Sequence, residues 1–169
     1  MARALDRAGL AASHHRGSVG DDSDGGNVPP LNWALSALSE AFRIRLDVLG
    51  PTNPDTADTL NGLAGLYLRR GELSEAVGAY TEVMTVRAAV FGPMHPSVAV
   101  AAHALGNAHM RRGDMEEAAA HMEYAMGVYT GGAVGAGLGM GLKDGHPLVS
   151  KLRRDMESLD RIIVSAGYR

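Results

Sequence analysis

The sequence contains no cysteine, only two phenylalanines and a single tryptophan. The missing thiols exclude a disulfide framework, a cysteine-based zinc site and a thiol nucleophile. No apolar run reaches the roughly 18–20 residues that a membrane-spanning helix requires. Basic residues are not in excess, since 16 Lys and Arg stand against 19 Asp and Glu. The clustered positive surface that a nucleic acid demands is therefore not expected. The N-terminus also lacks a continuous apolar stretch of about 7–15 residues, which disfavours a secretory signal. These absences lead to the expectation of an intracellular, cytoplasmic chain with no membrane span and no nucleic-acid partner.

Glycine is what the sequence has in abundance, 22 of 169 residues, and much of it sits in two stretches. Residues 13–30 run through Gly, Ser and Asp to Pro29-Pro30, with almost no apolar surface to offset the entropy of ordering them. Residues 1–30 thus read as a flexible tail. Arg3, Arg7 and Arg16, with little acid nearby, leave an organelle transit peptide open beside an untargeted leader. His14 and His15 read as solvated. The second stretch, Gly131–Gly141, has six glycines in eleven residues and reads as a flexible linker.

The rest of the chain repeats itself. A shift of 42 residues lays Gly50-Pro51 on Gly92-Pro93, Pro54 on Pro96, Leu63 on Leu105, Arg69-Arg70-Gly71 on Arg111-Arg112-Gly113, and Glu75-Ala76 on Glu117-Ala118. Over 50–88 and 92–130, 12 of 39 positions are identical, far above chance, so the period is genuine. Each unit reads as two helices. Pro54 opens the first, where its missing N–H costs nothing. Leu60, Leu63, Ala64 and Tyr67 then follow at i, i+3, i+4 and i+7, one buried helical face. Gly71 stops it, and a second helix with Ala76, Tyr80, Val83, Met84 and Val86 on its apolar side runs to Gly92-Pro93. The second unit matches, over 96–130. Residues 31–50 fit the same shift as the second helix of an earlier unit whose first helix would fall on residues unsuited to helix, so the array starts with half a repeat. Residues 131–145 form an insertion, and His146-Pro147 then restores the joint 51 residues after His95-Pro96. The terminal helix, 146–166, carries Leu148, Leu152, Met156, Leu159 and Ile163, a stripe one residue out of register with the other first helices.

These joints and the run Leu60-Asn61-Gly62-Leu63-Ala64-Gly65-Leu66-Tyr67, then Gly71, then Glu75-Ala76 resemble the tetratricopeptide repeat. They match its 42-residue variety, found in kinesin light chains. The resemblance spans about 31–166. It implies an all-α fold, a short right-handed α-solenoid of helix pairs whose first helices line a concave groove for an extended peptide or a partner helix. On repeat phasing, the positions left uncovered are Asp58, Asn61, Gly65 and Arg69, then Val100, His103, Asn107 and Arg111. The two asparagines suit backbone amides, since an amide side chain both donates and accepts. Arg69 and Arg111 suit acidic side chains or a carboxylate, although an Arg-Arg pair at a helix C-terminus also serves the helix dipole. His103 and His109 depart from the pattern, standing where the first unit has Asn61 and Tyr67.

Chemistry-bearing constellations are not evident. Gly135, Gly137, Gly139 and Gly141 imitate a phosphate-cradling loop in composition alone, because no strand precedes them and no helix is opened by them. His103, His109 and His121 lack the paired spacing of a helical zinc site. No enzyme activity, metal or cofactor is expected. The leading expectation is a protein–protein interaction module working through its groove or its edge helices. At the edge, Trp33, Leu38 and Phe42 of the half repeat stand to be partly bare, a patch of the kind that marks interaction sites. The alternative is a structural subunit embedded in a larger complex, since about two and a half repeats lies near the minimum of roughly three units for a free solenoid.

Overall fold

The computed structural model describes residues 31–131 and 140–167. The tail 1–30 and most of the glycine-rich insertion, 132–139, lie outside the described residues, and so do the expectations placed on them. The described residues form six helices and no strand: α1 (Leu31–Leu49), α2 (Pro54–Arg70), α3 (Leu73–Phe91), α4 (Pro96–Arg112), α5 (Met115–Thr130) and α6 (Pro147–Ala166). Each packs on the next, and α6 also touches α4. The architecture is an all-α solenoid of stacked helix pairs. No described helix is long and apolar enough to cross a membrane.

The first helices α2, α4 and α6 begin alike. Asn53, His95 and His146 stand at their N-caps and accept from the amides of Asp55, Ser97 and Leu148, with a proline at the next position in each case. Histidine fills this role through an unprotonated Nδ1, at 3.2 Å from the Ser97 amide and 3.3 Å from that of Leu148, a lone pair replacing the usual side-chain oxygen. At the other end, Gly71 and Gly113 take φ of 80° and 100°, the left-handed conformation that lets the cap amide turn back to the last carbonyls. Helices α3 and α5 have no side-chain N-cap bond. Their turns are held instead by ion pairs across the glycine, Arg70–Glu72 and Arg112–Asp114.

Helix α4 is the centre of the core. Its Ala101, Leu105 and Ala108 pack with Leu60, Leu63 and Ala64 of α2 and with Val77, Tyr80 and Val83 of α3. On its other side Ala99 and Ala102 meet Ala118, Met122, Ala125 and Val128 of α5, in a cluster that continues to Val149, Leu152 and Leu159 of α6. A helix buried on two sides needs small residues to let its neighbours approach, which accounts for the run of alanines. Helix α1 contributes no fully buried residue. Its Leu35, Leu38 and Phe42 lie half-buried against the first cluster.

The terminal helix corrects one reading of the pattern. Counted from its N-cap, α6 repeats α4 at an offset of 51, with Val149 for Val98, Leu152 for Ala101 and Leu159 for Ala108, and all six are buried. Val149, not Leu148, takes the fully buried place. The joint sets where the helix starts and hence which side faces inward; an apolar count along the helix does not carry that information.

The tightest crossing lies between α4 and α5. A Cβ on Gly106 would sit 2.9 Å from Met122 Cγ and 3.1 Å from the Ala118 carbonyl oxygen, whereas one on Gly78 would meet nothing within 4 Å. Gly106→Ala should lower stability by about 1–3 kcal/mol, the usual cost of overpacking. Gly78→Ala, in the exposed middle of α3, should raise it by up to about 1 kcal/mol through helix propensity. Urea unfolding of the full chain checks both; a neutral Gly106→Ala would contradict the close crossing.

Candidate partner-binding surface

Stacking uses two sides of each first helix and leaves a third. On α2 that third side carries Asp58, Asn61, Gly65 and Arg69; on α4, at the same register, it carries Val100, His103, Asn107 and Arg111. Asp58, Arg69, Val100 and Arg111 are exposed, Asn61, Gly65 and Asn107 half-buried, and His103 buried.

The two halves of this surface differ in what they bind internally. Asp155 of α6 reaches across to α4, where one of its carboxylate oxygens lies 2.7 Å from His103 Nε2 and 3.2 Å from Asn107 Nδ2. A carboxylate oxygen accepts, so His103 carries its proton on Nε2. His103 and Asn107 are thus held by the chain itself. In the first unit, Asp58 accepts from Arg87 at 2.7 Å, while Asn61 makes no side-chain hydrogen bond among the described residues. The paired arginines divide their work. Arg70 and Arg112 pair with Glu72 and Asp114 across the turns; Arg69 and Arg111, exposed on the first-helix surface, make no ion pair among the described residues. Of the edge candidates, Trp33 is 62% exposed, whereas Leu38 and Phe42 are half-buried against the core.

Burial shapes the protonation of the histidines. Loss of solvent pushes the His103 imidazole below its ordinary value of 6.5, against the smaller upward pull of the hydrogen bond to Asp155. His121 is lowered as well, by burial first and then by the neighbouring His109, on which it stacks with ring centroids 5.4 Å apart. His109 Nδ1 in turn lies 3.0 Å from Asp114. The hydrogen bonds from His109 and Arg112 hold the Asp114 carboxyl below its usual range. No group of three His, Cys, Asp or Glu side chains that could hold a metal occurs among the described residues.

One recurring feature escaped the sequence reading. Arg45 of α1 donates to the Asp55 carbonyl at 2.9 Å and to Thr59 Oγ1 at 2.6 Å. Arg87, 42 residues on, donates to the Ser97 carbonyl at 3.2 Å besides pairing with Asp58. Each arginine thereby clasps the start of the next first helix. The repetition was present in the 42-residue shift, but only the three-dimensional arrangement gives these side chains a target. The third equivalent position is Tyr129, fully buried, whose hydroxyl finds no partner among the described residues. Burial raises its phenol to about 12. There the chain returns differently, with the amides of Met140 and Leu142 bonding the carbonyls of Val128 and Tyr129 at 2.9 and 2.8 Å.

With this geometry in place, comparison with known proteins is direct. Two tetratricopeptide repeat models match residues 34–89 and 101–129, together half of the chain, and the chain belongs to that family. The crystal structure of the nearly identical kinesin light chain TPR-like repeats of Podosopora anserina superposes with a TM-score of 0.60 at 22% identity, over 82% of this chain and 60% of that one. A single-substitution variant of the same protein gives 0.57 at 19% identity, over 82% and 69%. This chain therefore spans about three fifths of the first of these structures, and at such identities the likeness speaks for the fold. No curated protein matches the sequence at a significant level. Tetratricopeptide repeats generally mediate protein–protein interaction.

The histidines set a pH dependence whose sign follows from linkage. The folded imidazoles of His103 and His121 bind protons less readily than their unfolded forms. Over the interval between the ordinary value and the lowered one, the unfolded chain therefore carries more protons, and stability falls as pH falls. The contribution is fully present above the ordinary value of 6.5 and is lost progressively below it. Thermal unfolding should show a declining Tm from about pH 7.5 to about pH 5. The double variant His103→Gln/His121→Gln should flatten that decline, and an unchanged slope would contradict this assignment.

Proposed function

We propose that the chain is a non-catalytic interaction module that binds an extended segment of a partner protein along the exposed side of α2 and α4, with acidic groups of the ligand at Arg69 and Arg111. The observation that carries this reading is the division within each Arg-Arg pair. One guanidinium is spent on the turn, while the other stands exposed without an ion-pair partner among the described residues, at the same register on two stacked helices. Arginine suits this role, because its planar fork meets a carboxylate with two parallel hydrogen bonds. Asn61, half-buried about two turns before Arg69 on the same side of α2, has an amide free to read a ligand backbone. Asn107 and His103, bound to Asp155, stiffen the far part of the surface instead. The alternative, a subunit built into a larger assembly, is favoured by the apolar side that α1 leaves exposed.

The test uses the full chain and three labelled extended peptides of equal length, one acidic, one neutral and one basic. Fluorescence polarisation should show preference for the acidic peptide, with binding weakened by salt. Arg69→Glu/Arg111→Glu should reduce its affinity by about tenfold or more, since each charge-assisted contact is worth roughly 1.5–3 kcal/mol. Equal binding of all three peptides, or a double variant that binds like the wild type, would overturn the reading.

A further inference from the structure

The two ends of the array are chemically opposite. On α4, the residues facing its own second helix are Ala99, Ala102, Gly106 and His109, all buried. At the same places on α6, by the 51-residue offset, stand Ser150, Arg153, Glu157 and Asp160. Three of these four are charged and exposed. That end is sealed by polarity. At the other end, α1 presents to solvent the side by which a second helix meets the first helix of its own unit. The comparison with α3 is direct, because the 42-residue shift lays Ala34, Ala37, Ala41 and Ile44 on Ala76, Ala79, Val83 and Val86. The α3 residues are at most 8% exposed. On α1, Ile44 is 49% exposed, Ala37 is exposed and the other two are half-buried. Val48, 74% exposed, and Trp33 continue the strip.

The strip is complementary to itself. Trp33, Ala37, Ile44 and Val48 recur at intervals of four and seven, along one side of the helix. Two copies of α1 laid antiparallel about an axis near Glu40 and Ala41 bring Trp33 opposite Val48 and Ala37 opposite Ile44, twice over, large against small. This is the isologous arrangement of a twofold dimer. The acidic charge beside the axis is partly offset within each copy. Arg43 is paired within its own helix with Glu40 at 2.7 Å and Asp47 at 3.3 Å, and Arg45 is committed to α2.

We infer that the exposed side of α1 is the interface of a twofold homodimer in which the α1 helices of two copies pack antiparallel, leaving the charged α6 ends outermost. This inference is independent of the peptide-binding reading. A single helix pair is a small interface, so the association should be of the weak, transient class. Sedimentation equilibrium of the full chain should show the mass rising from 17.7 kDa toward twice that value between about 1 and about 100 µM. Trp33 emission should shift to the blue, and its quenching by acrylamide should fall, over the same range.

Ile44→Glu should hold the mass at that of the monomer at every concentration, with the helical circular dichroism unchanged. The chain's lack of cysteine permits a geometric test. In Ala37→Cys/Ile44→Cys the two thiols lie about 10.5 Å apart along one helix, too far for an internal disulfide. Oxidation should therefore give a covalent dimer, whereas Ser39→Cys, on the opposite side of the helix, should not. A monomer at all concentrations, including one with Trp33 already shielded by its own N-terminal residues, would overturn the proposal. A dimer unaffected by Ile44→Glu, or one cross-linked as readily through Ser39→Cys, would do the same.

Discussion

A helix pair of this chain has more apolar surface than it can bury by itself, and the rest of the structure follows from that constraint. Pairing α2 with α3 covers one side of each; the remaining side of α3 is satisfied only when α4 arrives. The tetratricopeptide pattern solves the problem by nearest-neighbour stacking, and α4, with apolar neighbours on two sides, shows the solution in full. Its alanines and Gly106 let α5 come within contact of the backbone. Larger side chains return in α6 as Leu152 and Leu159, where only one side has to be accommodated.

Polar side chains supply what apolar stacking lacks, namely register. Apolar surfaces slide over one another at small cost, whereas a guanidinium bonded to a particular carbonyl does not. Arg45 and Arg87 reach across the joints to the first turns of α2 and α4. The N-caps Asn53, His95 and His146 fix where those helices begin. Asp155 does related work at the far end, binding α6 to α4 through His103 and Asn107. The consequence for function is an asymmetric surface: His103 and Asn107 of the second unit and Asp58 of the first are satisfied within the chain, while Asn61, Arg69 and Arg111 are not paired among the described residues. Because His103 is enclosed as a neutral donor, this internal contact also responds to acid.

Much of the architecture was legible in the residues. The 42-residue shift, the Pro-opened and Gly-closed helices and the alternation of apolar positions are local signals, each with a local physical cause. They sufficed for an all-α solenoid of helix pairs. The candidate surface was legible only as a set of uncovered positions. Phasing placed Asn61 and His103 at one register and Asn107 one turn further along the same side, because it knows which side of a helix is free. It does not know which distant residue comes to occupy that side.

What the sequence by itself determined is therefore the repeating unit: its helices, its turns and the side each helix turns inward. What only the tertiary structure decided is how unlike units meet. The displaced stripe of α6 resolved into the register of α4 once its joint, and not its leucine count, set the start of the helix. Leu38 and Phe42 lie half-buried against the core while Ile44 and Val48 are exposed, since all four are apolar and only packing distinguishes them. Asp155 lies 52 residues from His103 across an insertion that breaks the period, so no repeat arithmetic could pair them. Local chemistry is written along the chain, but a contact between units depends on the summed geometry of everything folded between them.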